Sequence, residues 1–166
     1  MVGLLGNTGV SRLQGVIWAG VCILVLLTVP TLYFINRLRR GVYSDEDVSR
    51  RSERNGLFLV SLASLVLGSG LLLLLGVPTA FLRLVAAGIG VVGVCAVINT
   101  RWKISIHATS IGTVAMLLSL FVRAYPFWLV AALVGWARLQ TGNHTPGQVA
   151  AGWLVAAVGI FLAFGL

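Results

Sequence analysis

Two histidines and an arginine carry the chemistry that this sequence suggests. Arg138, His144 and Gln148 lie in WARLQTGNHTPGQVAAGW, residues 136–153, where one apolar run stops and the next begins, and His107 closes the stretch ISIH, residues 104–107. Arginine presents a planar fork of N–H donors that matches phosphate oxygens bidentately. Histidine, with an unperturbed pKa of about 6.5, can attack as a neutral ring at one position and donate a proton at another. Cleaving a phosphate monoester needs these parts: neutralised phosphoryl oxygens, an in-line nucleophile and a proton for the leaving oxygen. Arg138 is the leading clamp, with Arg51, Arg54 and Lys103 as helpers and Ser105 beside them. These cations stand where a magnesium ion would, so no metal or other cofactor is expected.

The elements that must position these residues are membrane helices. The chain has 166 residues, 58% hydrophobic and 10% charged, against roughly 25% charged in globular domains. Its mean hydropathy is +1.01. A bilayer solvates that apolar surface, whereas a soluble domain of this size would leave much of it in water. The apolar runs show no period-two alternation, which excludes a barrel and predicts an all-α bundle. Six spans are expected in one domain covering residues 1–166, at about 14–36, 56–77, 80–98, 105–122, 125–139 and 147–166. The fourth and fifth are short beside the roughly 20 residues that a crossing helix needs. Cys22 and Cys95 are isolated within apolar runs and point to neither a disulfide nor a metal.

Six spans place three connections on one face. That face holds Asp45, Glu46, Asp47, Arg50, Arg51 and Arg54, then Arg101, Lys103, Ser105 and His107, then Arg138, His144 and Gln148. With Arg37, Arg39 and Arg40 it collects nine of the twelve basic residues, leaving Arg12, Arg83 and Arg123 opposite. The net charge of +8 is therefore spread along span ends. That spread points to membrane lipids and a phosphorylated lipid rather than to nucleic acid. The positive-inside rule puts the nine-cation face in the cytoplasm, and the charge needed for phosphate weakens the bias without reversing it.

Three local patterns qualify this reading. GIGVVG, residues 88–93, matches the dinucleotide fingerprint in letters but sits inside an apolar span with no preceding strand; it is read as small residues allowing close helix approach. Asp45, Glu46 and Asp47 are a candidate magnesium cluster of a membrane transferase. The plainer expectation is a helical stretch with Asp47 and Arg51, four apart, paired on its surface. Thr145, Pro146 and Gln148 read as a helix start with a capping box, so His144 falls at the positive end of a helix. Gln148 then has two readings, a cap for the helix or an acceptor for the His144 ring proton.

These stretches resemble the signatures of the type-2 phosphatidic acid phosphatase family. ARLQTGNH followed by TPGQ is similar to the third signature, SRxxxxxHxxxD, with Ala137 for the serine, Arg138 and His144 matching, and Gln148 for the aspartate. ISIH resembles the second signature, PSGH, keeping Ser105 and His107. DVSRRSERN stands at the first, KxxxxxxRP, with Arg54 matching, Asp47 at the lysine position and Asn55 at the proline position. The resemblance implies a six-span, multi-pass lipid phosphatase of the cell membrane that needs no metal. His144 would form a phosphohistidine and His107 would protonate the departing alcohol. The substrate would be phosphatidate, phosphatidylglycerophosphate or a polyprenyl mono- or diphosphate. A relative that binds or scaffolds such lipids without turnover is the alternative, and homo-oligomerisation is open.

Overall fold

The computed structural model describes residues 10–164 and is all-helical over them. In chain order the helices are α1 (Arg12–Arg39), α2 (Arg54–Leu74, preceded by a 3-10 turn at Arg51–Glu53), α3 (Thr79–Asn99), α4 (Ile106–Val122), α5 (Phe127–Gln140) and α6 (Pro146–Phe164). Four of them, α1, α2 with its leading turn, α3 and α6, are long and apolar enough to cross a membrane. At 1.5 Å per residue, α4 and α5 reach only about 26 and 21 Å, against roughly 30 Å of hydrocarbon. The outer surfaces are apolar: Leu67, Leu133 and Leu162 are exposed, and Leu74 is 87% so.

Local chemistry sets the helix ends. Ser11 and Gln14 form a reciprocal capping box that starts α1, and the helix continues through Pro30 instead of breaking there. Ser105 caps α4 by accepting from the Ala108 N–H, and Pro146 opens α6. The expected sixth span extends to residue 166, and its last two residues lie outside the described ones.

Helix α6 packs in the middle, against α4 and α3, while α5 leans on α4 and α1 covers α2. The α4–α6 contact is close because Gly152 carries no side chain: a Cβ there would stand 2.8 Å from the Ser105 carbonyl oxygen and 3.0 Å from the Thr109 nitrogen. The GIGVVG segment does not make the tight approach expected of it. A Cβ at Gly88 or Gly93 would meet only leucine methyls, at 3.9 Å, and Val91 of that segment instead presses on Gly159 of α6. Close approach is decided by what lies opposite a glycine, which spacing does not reveal.

Gly152→Ala should therefore destabilise the protein by about 1–3 kcal/mol, because backbone atoms cannot yield to the new methyl. Gly90→Ala, with no atom within 4 Å of its Cβ, should be neutral or mildly stabilising. Thermal unfolding in detergent compares the two; equal melting temperatures would contradict the packing.

Candidate functional site

The site forms where the loop after α1 meets the starts of α4 and α6 and the end of α5. Tyr43 anchors that loop by packing on Phe34 of α1, with ring centroids 5.9 Å apart. Burial raises the Tyr43 phenol to about 12, helped by neighbouring Tyr33. Arg54, only 2% exposed, then fastens the loop to the segment before α4. Its Nε donates to the Val48 carbonyl at 2.7 Å, Nη1 to the Ile104 carbonyl at 2.8 Å and Nη2 to the Asp47 carbonyl at 3.5 Å. Val48 has φ of 46°, the left-handed region that a β-branched residue rarely adopts.

These constraints turn the Asp47 side chain toward the rest of the cluster. Its Oδ1 accepts from Arg138 Nη1 at 3.0 Å and lies 3.7 Å from His107 Nε2; its Oδ2 accepts from Asn143 Nδ2 at 3.2 Å. Asn143 is a second junction: its Oδ1 accepts from Ser49 Oγ at 3.2 Å and its carbonyl from Lys103 Nζ at 2.6 Å. The expected surface pair of Asp47 and Arg51 is thus corrected. The stretch is a turn rather than a helix, Asp47 pairs with Arg138, and Arg51 Nη1 donates to the Asn99 and Thr100 carbonyls at the end of α3. Tertiary partners outcompete the local i,i+4 pair, which is worth only about 0.2–0.5 kcal/mol.

His144 is 8% exposed and precedes α6. Gln148 Oε1 lies 3.2 Å from its Nδ1 and 3.1 Å from the Thr145 nitrogen, while the Gln148 nitrogen donates to Thr145 Oγ1 at 3.4 Å. Gln148 caps the helix, and its side chain also stands within hydrogen-bond distance of the His144 ring, as the second reading requires. The Thr145 N–H can only donate, so the side-chain atom facing it is the amide oxygen; that oxygen only accepts, so Nδ1 of a neutral His144 carries the proton. Nε2 is left with its lone pair. Burial first, then the positive charges of Lys103 and Arg54, push the His144 pKa down to about 4 against the Gln148 hydrogen bond. At pH 7 the ring is neutral.

The sequence-derived residues separate by what they touch. His107, with a 48% exposed side chain, Arg138, Asp47 and the Lys103–Asn143–His144–Gln148 segment gather in one cluster. Burial, opposed only in part by Asp45 and Asp47, lowers the Lys103 pKa. Arg138 directs Nη1 to Asp47 and leaves a buried Nε without a partner. Arg54 spends its fork on backbone carbonyls, Arg51 holds the end of α3, and fully buried Ser105 caps α4. Asp45 binds the Ser49 N–H and the Ser44 hydroxyl, and among the described residues no three His, Cys, Asp or Glu side chains gather to hold a metal. Asn143 was missed, its one signal in the sequence being its nearness to His144, and Asp47 was read as a candidate magnesium ligand or a surface partner of Arg51 rather than as the partner of Arg138 and His107.

A His144 pKa depressed below its unfolded value gives stability that is present above about pH 6.5 and is lost as pH falls toward 4. The melting temperature should drop over that window, and the drop should be smaller in His144→Gln; identical pH profiles would refute the depressed ring. Searches against protein-family models, curated proteins and solved structures find no match for this chain.

Proposed function

We propose that the chain is an integral membrane lipid phosphatase that hydrolyses a phosphate monoester or diphosphate of a lipid through a phosphohistidine, without a metal. All six helices would then cross the bilayer, α4 and α5 as short spans, with the site on the cytoplasmic face of the cell membrane. The observation that carries this reading is the neutral His144, its proton fixed on Nδ1 by Gln148, in one cluster with His107 and with an arginine whose buried Nε lacks a partner. Unpartnered buried donors are costly, and a phosphoryl oxygen would satisfy this one.

The steps follow from those groups. Arg138 neutralises the phosphoryl oxygens, helped by the positive ends of α4 and α6. The Nε2 lone pair of His144 forms the P–N bond as the P–O ester bond breaks, and His107 gives its proton to the departing oxygen. Neutral His107 next takes a proton from water, whose oxygen attacks phosphorus; the P–N bond breaks and orthophosphate leaves. Gln148 accepts the Nδ1 proton throughout, with a dipole where a carboxylate would give a full charge. A lipid suits the place: the phosphate stops at headgroup level while the tail stays in hydrocarbon.

One observation favours the alternative, a lipid-phosphate binder without turnover: the group beside His144 Nδ1 is the neutral amide of Gln148, which stabilises an imidazolium less than a carboxylate would. Phosphate release decides between them. Purified protein in detergent should release phosphate from one or more of phosphatidate, phosphatidylglycerophosphate and prenyl phosphates in excess chelator. His144→Ala should lower the rate by at least about 10³-fold and Arg138→Ala by about 10²-fold. Gln148→Asp should keep or raise activity, because it retains an acceptor for Nδ1. Silence across the panel, or an active His144→Ala, would overturn the phosphatase reading.

A further inference from the structure

Asp47 stands at a position where the resemblance expects a cation, and the reaction as described does not use it. It is nevertheless the carboxylate that bridges the cluster. One oxygen meets Arg138 Nη1 and, at 3.7 Å, His107 Nε2; the other is held by Asn143 Nδ2. Among the described residues no other carboxylate lies within ion-pair distance of either histidine. Its backbone is fixed as firmly as its side chain, since Arg54 bonds the carbonyls of Asp47 and Val48 and holds Val48 at a positive φ. A β-branched residue kept in that region costs about 1–3 kcal/mol, and such strain clusters where a side chain must be aimed.

We infer that Asp47 is the positioning carboxylate of this site: it fixes the Arg138 guanidinium through Nη1, leaving the buried Nε without a protein partner, and it pairs with protonated His107. This rests on the proposed function for the role of His107 as the acid. The two histidines then have different supports. His144 faces an amide oxygen, whose dipole does not offset the burial and cations that keep the ring neutral, and His107 faces a carboxylate that favours the charged form.

The surroundings of His107 make that anion necessary. The ring is at the start of α4, where partial burial opposes its charge first, then Arg138 from α5 and Arg54 from α2, with His144 near it in the loop before α6 and Asp47 as the opposing charge. A proton placed on His107 without Asp47 would enter a field of cations, and the acid would be neutral when needed. Through Arg138, the same carboxylate fixes which edge of the clamp meets the ligand. A rival role for the same contact is that of an internal anion, filling the clamp until phosphate displaces it. The two roles predict opposite effects on phosphate affinity.

The test is an NMR titration of the two histidine rings, selectively labelled, in full-length protein in detergent, with a parallel titration by inorganic orthophosphate. In the wild type His107 should titrate above His144; the reverse order overturns the inference even if no variant folds. In Asp47→Asn the His107 midpoint should fall by about one pH unit and orthophosphate should bind several-fold more weakly. Asp47→Glu, which keeps the charge, should bring the midpoint back toward the wild-type value. An unmoved midpoint refutes the positioning role, and tighter orthophosphate binding in Asp47→Asn identifies Asp47 as the competing internal anion. None of these readouts needs turnover. A protein that passes them but releases no phosphate from any lipid fails as a phosphatase, while the role of Asp47 in holding Arg138 and His107 stands.

Discussion

A buried guanidinium holds the polar face of this protein together. Arg54 lies at the start of α2 and gives three of its five N–H donors to the carbonyls of Asp47, Val48 and Ile104. A charge removed from water is tolerated only when its donors are satisfied, so the loop and the segment before α4 must both come to Arg54. Their arrival orders all that follows: Val48 takes its strained backbone, Asp47 turns to Arg138, and Ile104 precedes the serine that caps α4. An arginine that the resemblance places among phosphate ligands is, in its visible contacts, the fastener of the site.

Around that fastener the electrostatics are uneven. Lys103, Arg54 and Arg138 make the cluster cationic, which suits a phosphate and opposes charge on either ring. Burial adds to the opposition at both rings and keeps His144 neutral; at His107 a carboxylate offsets part of it. Two rings of the same residue type are thus separated by what stands next to each, the same device that separates acid from base roles in catalytic sites. Neutral Gln148 is consistent with this division, since a second carboxylate would favour a charged His144.

The helices below serve placement. Gly152 lets α6 come up against the Ser105 carbonyl, bringing the starts of α4 and α6 together, and the Ser105 N–H donates to the Gln148 carbonyl at 3.3 Å. The two histidines are carried into one cluster by backbone contacts between residues more than forty positions apart in sequence, Ser105 with Gln148 and with Gly152.

The sequence by itself determined the helical class, the positions of the apolar helices to within a few residues, the capping box at Thr145 and Gln148, and the membership of His107, Arg138 and His144 in one polar group. The first three are read from local composition and short-range spacing, where hydropathy and capping act within a turn or a span; the last follows from the alternation of successive spans between two faces. Which side chain meets which was decided by the tertiary structure alone. Asp47 prefers Arg138 to Arg51, Arg54 turns inward to carbonyls, and glycines outside GIGVVG make the tight contacts, because each choice depends on what another segment brings opposite. In a crowded cationic cluster the strongest partner available in space prevails over the nearest in sequence, and spacing carries no record of that competition.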